Sequence, residues 1–139
     1  MEDKVMIQMD HVSKHFGDYV ALKDVSISVS RGEIIGFLGP SGAGKTTTIK
    51  ILTGQLLQTS GTATLLNQDT RKINESIYSQ IGIVTDNSGL YERMTITENL
   101  LFFAKLLDVD KSRVSELIER VGLKNHEKKK VSKLSRGMR

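Results

Sequence analysis

Lys45 and Thr46 close a nine-residue run, Gly-Pro-Ser-Gly-Ala-Gly-Lys-Thr-Thr at 39–47, whose residue types and spacing suit the binding of phosphate. Phosphate oxygens need several N–H donors at close range. Gly42 and Gly44 let the backbone curl around an anion with no Cβ in the way. The N–H groups of such a curl point inward as a nest, and a helix starting behind it adds its dipole. Lys45 is a mobile point charge placed to reach the β- and γ-phosphates of a nucleotide, which makes it a candidate catalytic residue. The Thr46 hydroxyl is placed to join a Mg²⁺ shell with phosphate oxygens and water. Pro40, the single proline of the chain, stiffens the entry to the loop. Gly39, Pro40, Ser41, Gly42, Ala43, Gly44, Lys45, Thr46 and Thr47 are thus the candidate phosphate contacts.

The run fits G-x-x-x-x-G-K-[ST], the P-loop or Walker A motif, without a mismatch, and that motif needs a strand before it and a helix after it. The apolar run 34–38 predicts a buried strand, and 46–53 predicts a helix with Gly54 as its stop. Upstream, 4–11 and 19–30 read as strands around a turn at Gly17-Asp18. Strict alternation over 25–30 gives the second strand one apolar and one polar face. Downstream, 62–66 reads as a short strand, 67–76 as a polar connection, and 81–85 as a second buried strand. Thr95 and Glu98 form a capping box that opens a helix to Leu107. Another helix begins near Asp110, with Val114, Leu117, Ile118 and Val121 on one face and Gly122 at its end.

The chain has 139 residues, enough for one modest core, and no cysteine, which excludes disulfides and thiolate-held metals. No secretory leader follows Met1, and no apolar run is long enough to span a bilayer, so the expectation is a protein soluble by itself or peripheral through a partner. The net charge of +4 is uneven: residues 124–139 carry seven Lys and Arg against one acidic residue. A nucleic-acid or lipid contact is one reading of that tail. A solvated loop is the favoured one, because no aromatics are interleaved for base stacking, and no nucleic-acid partner is expected. His11, His15 and His126 lack metal-ligand spacing, and the five methionines read as core or incidental.

Three further segments carry a resemblance. Phe16 lies 29 positions before Lys45 in Val-Ser-Lys-His-Phe-Gly at 12–17. Leu134, Ser135, Arg136, Gly137 and Met138 form a pentapeptide similar to LSGGQ. The segment Ile81–Tyr91 runs from the second apolar strand into a polar loop. Together with the P-loop these resemble the nucleotide-binding subunit of an ATP-binding-cassette (ABC) transporter, of the bacterial drug- and peptide-exporter type, over essentially the whole chain.

That resemblance implies an α/β fold of the P-loop NTPase class: an antiparallel β subdomain at 1–33, a partial RecA-like core at 34–86, and a helical subdomain at 87–139 ending in the signature. It implies that Phe16 stacks on adenine, and that Ser135 and Gly137 contact the γ-phosphate of ATP held by an opposite ATP-binding subunit, identical or different. Arg136 and Met138 depart from the family's Gly and Gln. Asp86 stands where the family carries a Gln that touches Mg²⁺ and the attacking water; it reads equally as a Mg²⁺ ligand and as a loop cap. Residues 90–107 would face transmembrane permease subunits. The implied cofactors are ATP and Mg²⁺, the implied activity is ATP hydrolysis coupled to transport, and the implied place is the cytoplasmic face of the membrane. No segment shows a Walker B strand ending in paired carboxylates, so the chain reads as a truncated domain that binds ATP and turns it over slowly by itself. A soluble ABC ATPase acting on ribosomes or DNA, and an ATP-binding fragment without turnover, are the alternatives. A P-loop kinase or GTPase is disfavoured by the signature and Phe16.

Overall fold

A computed structural model of the chain describes residues 4–84 and 89–139, and these fall into two compact units, Met1–Gly82 and Ile83–Arg139.

The first unit is a sheet with one helix laid on it. Strands β1 (Val5–Phe16) and β2 (Tyr19–Ser30) form a long antiparallel hairpin, and β3 (Ser60–Leu65) and β4 (Gln68–Asp69) extend it in the order β2-β1-β3-β4. The two-residue turn Gly17-Asp18 puts Phe16 directly opposite Tyr19. Helix α1 (Lys45–Leu52) buries Ile51 and Leu52 against Met9, Val12, Leu22 and Ala63 of the sheet. Burial of this kind stabilises by about 1.5–3 kcal/mol per large aliphatic side chain, and here it fixes the axis of α1 and with it the loop at its N-terminus. The helix ends as its sequence predicts: Gly54 takes φ 70°, and the N–H groups of Gln55 and Leu56 donate back to the Lys50 carbonyl. The Tyr78 hydroxyl, at the end of the short helix α2 (Glu75–Tyr78), donates to the Thr53 carbonyl at 3.0 Å.

The hairpin is bulged on both strands. His11 and Asp24 both adopt left-handed backbone, with φ of 48° and 51°. His11 N–H donates to the Ser26 hydroxyl at 3.0 Å, Asp24 N–H donates to the Ser13 hydroxyl at 2.9 Å, and the two side chains meet at 2.6 Å between Nδ1 and Oδ1. These contacts hold two residues in a conformation that non-glycine residues rarely adopt. Gly61 passes so close to the bulge that a Cβ there would lie 2.3 Å from the His11 carbonyl oxygen.

In the second unit, α3 (Ile96–Leu106) and α4 (Ser112–Arg120) enclose a core of Ile96, Ala104, Val114, Ile118, Val131 and Leu134. The capping box forms as expected: Glu98 N–H donates to the Thr95 hydroxyl, and Thr95 N–H donates to the Glu98 carboxylate. Of the four apolar residues expected on one face of α4, Val114 and Ile118 are buried, while Leu117 and Val121 are exposed. Asp110 accepts from Ser112 N–H at 2.7 Å, and this hydrogen bonding holds its carboxyl below the usual range. Single 3₁₀ turns occupy Lys124–His126, Val131–Lys133 and Arg136–Met138.

Two expectations are corrected. Residues 34–38 and 81–84 form no strand, and Ile34, Leu38 and Val84 stand 99%, 96% and 99% exposed. A buried parallel strand needs ladder partners and a covering layer, and among the described residues neither segment has a strand beside it. Their apolar runs are a property of a sheet these residues do not build by themselves. Thr85 of the second segment lies outside the described residues.

Candidate functional site

Residues 41–47 enclose, with Phe16, Tyr19 and Ala21, a cavity of about 300 Å³ within the first unit. The loop holds its shape through three left-handed glycines, Gly39, Gly42 and Gly44, at φ of 151°, 84° and 84°. Gly44 is required twice over. Its φ disfavours any side chain, and a Cβ there would lie 2.5 Å from the Leu22 side chain and 2.7 Å from the Ala21 carbonyl oxygen. The loop therefore rests directly on β2. The Thr48 N–H and hydroxyl both donate to the Gly44 carbonyl, at 2.8 and 3.0 Å, which joins the loop to α1.

Lys45 lies across the loop, its Nζ donating to the carbonyls of Gly39 and Pro40 at 2.6 Å each. Ala43 N–H donates to the same Pro40 carbonyl at 3.3 Å. The Lys45 ammonium and the Ala43 N–H are thus satisfied internally, and a phosphate that enters exchanges these bonds for its own. Ser41, Thr46 and Thr47 line the cavity at its rim. Phe16 is half-exposed at the cavity wall, with the Lys14 ammonium 4.9 Å from its ring centroid.

A Mg²⁺ ion held by protein alone is not supported: among the described residues, no three His, Cys, Asp or Glu side chains lie close enough to share a metal. The donor set instead fits a cation arriving with its nucleotide, since Thr46 offers one hard hydroxyl oxygen beside the phosphate loop and the phosphates and water supply the rest. Asp86 lies outside the described residues.

In the second unit, Leu134 is buried in the core and Met138 packs partly against it, while Ser135, Arg136 and Gly137 are exposed on a single 3₁₀ turn. The turn is tied back to the start of the unit. Arg139 pairs with Glu92 at 2.9 Å, Ser132 N–H donates to the Glu92 carbonyl, and Val131 N–H donates to the Met94 carbonyl. Tyr91 and Phe102 stack edge to face at 5.0 Å on the exposed side of α3, next to exposed Leu106 and Leu107. Of the basic tail, Lys124 pairs with Glu119, which raises the lysine's pKa and lowers the glutamate's.

A family model described as ABC transporter matches residues 22–139. The chain belongs to the ABC transporter ATP-binding family. This ABC chain is 37% identical over 135 residues to the bacitracin transport ATP-binding protein BcrA of Bacillus licheniformis, a match covering 96% of the chain and 44% of that protein. It is 36% identical over 138 residues to the linearmycin resistance ATP-binding protein LnrL of Bacillus subtilis, again covering 96% of the chain and 44% of the relative. The chain thus spans less than half the length of either relative. A nucleotide-free ATP-binding cassette from an ABC transporter superposes with a TM-score of 0.74 at 29% identity, over 94% of this chain and 59% of that one. The cbiO1 protein of Clostridium perfringens superposes with a TM-score of 0.81 at 23% identity, over 98% and 57%, which shows the ABC ATPase fold alone.

Two residues of this ABC chain escape a reading of the sequence. Tyr19, three residues after Phe16, lines the cavity, and only the register of the hairpin places it there. Asn99, fully buried on α3, is a polar residue within an apolar run and draws no reading of its own. Among the described residues no helix is long and apolar enough to cross a membrane.

Proposed function

We infer that the cavity of the first unit binds Mg·ATP, and that the chain is the ATP-binding part of a transporter ATPase that exports its cargo. The observation that carries this is the Lys45 ammonium poised over a loop whose glycines are held open on β2, beside an exposed aromatic ring. Gly39 through Thr47 hold the phosphates, Lys45 neutralises their charge, Thr46 meets the Mg²⁺ that accompanies them, and Phe16 stacks on the base. The bound Mg²⁺ supplies charge neutralisation at the phosphates. Asp86 approaches the same cation or caps its loop. The domain divides into a β subdomain at 1–33, a P-loop core at 34–86 and a helical subdomain at 87–139.

Leu134, Ser135, Arg136, Gly137 and Met138 present the exposed turn that meets ATP on an opposing ATP-binding subunit. The exposed aromatic and aliphatic face around Tyr91, Phe102, Leu106 and Leu107 suits a permease subunit, which would keep the protein on the cytoplasmic side of the membrane. The names of the bacitracin and linearmycin relatives favour a peptide or antibiotic cargo. No nucleic-acid partner is needed to account for the basic tail. No run of four apolar residues in the sequence leads into paired carboxylates, so binding rather than turnover is the activity to measure on this chain.

A calorimetric titration of Mg·ATP into the chain tests the reading, with Lys45→Ala as control. Saturable binding lost in the variant is expected. Binding that survives the substitution, or no binding to the unsubstituted chain, would reject a nucleotide site here.

A further inference from the structure

We propose that Tyr19 is a positioning residue for the phosphate loop: its hydroxyl holds the Gly42 carbonyl and so sets the affinity of the loop for a nucleoside triphosphate. This rests on the reading of the cavity as a nucleotide site. Tyr19 precedes the residues matched by the family model, so the inference comes from the geometry of this chain.

β2 is an edge strand, and it meets the loop at two places. At Gly44 the contact is rigid: the Ala21 carbonyl and the buried Leu22 side chain leave no room for movement toward the strand. At Gly42 nothing packs within 4 Å of the position a Cβ would take. There the contact with β2 is the Tyr19 hydroxyl, which donates to the Gly42 carbonyl at 3.4 Å. The two-residue turn that sets Tyr19 opposite Phe16 brings that hydroxyl to the loop, and the ring stays 58% exposed.

Gly42 is the position where the loop is free to change. A trans peptide points its carbonyl and the next N–H in opposite directions. While the Gly42 carbonyl is held on the Tyr19 side, the Ala43 N–H is held on the other, where it now donates to Pro40. Rotation of that peptide is easy at glycine. It would turn a carbonyl oxygen toward the anion and remove a donor from the nest. The Tyr19 hydroxyl opposes the rotation, so the unliganded loop keeps its donors aimed correctly and less ordering is left for the nucleotide to impose.

The test uses the full chain with Tyr19→Phe, which keeps the ring and removes the hydroxyl, and with Phe16→Ala for comparison. Two quantities are read: Mg·ATP affinity and stoichiometry by calorimetry, and amide exchange of Ala43 in the nucleotide-free protein by NMR. Tyr19→Phe is expected to speed Ala43 exchange and weaken Mg·ATP about two- to threefold at unchanged stoichiometry, the low end for one hydrogen bond, because the contact is long and exposed. Phe16→Ala is expected to weaken Mg·ATP and leave Ala43 exchange as it was. The proposal is overturned if Tyr19→Phe leaves both quantities unchanged. It is also overturned if affinity falls without faster exchange, which would put Tyr19 on the nucleotide itself, or if stoichiometry falls at constant affinity, which would mark a folding defect. If the unsubstituted chain binds no Mg·ATP while Tyr19→Phe still speeds exchange, the nucleotide reading fails and the loop contact stands as structure only.

Discussion

Asn99 grips Tyr91 by both of its backbone groups, accepting from the Tyr91 N–H at 2.8 Å and donating to the Tyr91 carbonyl at 3.0 Å. A further donation, to the Thr95 carbonyl at 2.9 Å, ties the same carboxamide to the first turn of α3. The amide therefore fixes the chain at 91–95, and with it the Tyr91 ring against Phe102. Truncation would take away the partner of the Tyr91 N–H, while the Tyr91 and Thr95 carbonyls keep the N–H groups of Met94 and Asn99; an unpartnered group costs about 1–3 kcal/mol. Asn99→Ala is expected to lower stability by about 1–3 kcal/mol, read as a reduced urea midpoint at constant slope. Asn99→Asp is expected to cost at least as much, because a carboxylate cannot donate to the two carbonyls. A midpoint within error of the unsubstituted chain would show that the clamp is dispensable.

The capping box of α3 makes a second measurable contribution. Thr95→Ala removes an acceptor for the Glu98 N–H and is expected to cost about 1 kcal/mol, the usual worth of an N-cap. Glu98 carries a pH signature as well. Hydrogen bonds from Thr95 hold its carboxyl below its ordinary value, with Lys130 adding a smaller attraction. A depressed acid contributes stability that is present above its unfolded pKa and lost as pH falls through the folded one. Glu98→Gln should therefore flatten the acid limb of a stability-against-pH curve while leaving neutral stability almost unchanged, since Gln also serves in the box. An acid limb of unchanged steepness would place the proton uptake elsewhere.

What could be read from the sequence divides along the range of the forces involved. The capping box, the alternation of 25–30 and the left-handed Gly54 are determined within a few residues of themselves, and all three appear as read. The P-loop is equally local, because glycine positions and a helix start define it. Ile34 to Leu38 and Ile81 to Val84 failed as strands because a parallel strand is defined by its neighbours, which no periodicity reveals. Tyr19 became visible only once the register of the hairpin was known. Asn99 was hidden because a polar residue in an apolar run signals exposure, whereas here three backbone groups compensate its burial. The His11 and Asp24 bulges carry no glycine and so gave no turn signal at all.

Those bulges yield a prediction on the alkaline side. The His11 pKa is raised by the hydrogen bond its ring N–H donates to Asp24, by the charge of that carboxylate, and by Asp10 at 4.0 Å. A raised histidine contributes stability that is complete below its unfolded value, near 6.5, and lost as pH rises through the higher folded value. The chain should thus lose stability above pH 6.5, and Asp24→Asn should remove most of that dependence. Thermal unfolding at several pH values between 5.5 and 8.5, with the His11 ring followed by NMR, tests this. A His11 titration at the ordinary value would end the argument.

Gly42 and Gly44 share a φ of 84°, yet their alanine variants should behave differently. Left-handed backbone costs an L-residue roughly 1–2 kcal/mol wherever it occurs, and that is the whole penalty expected at Gly42, where a Cβ meets open space. At Gly44 the same strain is joined by overlap with the Ala21 carbonyl and the Leu22 side chain, which belongs to the core beneath α1. The backbone oxygen cannot move aside, so α1 must shift or the loop must open. Gly44→Ala is therefore expected to destabilise the chain by at least about 1 kcal/mol more than Gly42→Ala, in line with the cost of overpacking. It should also abolish Mg·ATP binding, which Gly42→Ala only weakens. Paired urea unfolding and calorimetric titrations give both orderings. Equal losses at the two positions would mean that β2 does not support the loop in the way the Gly44 contact requires.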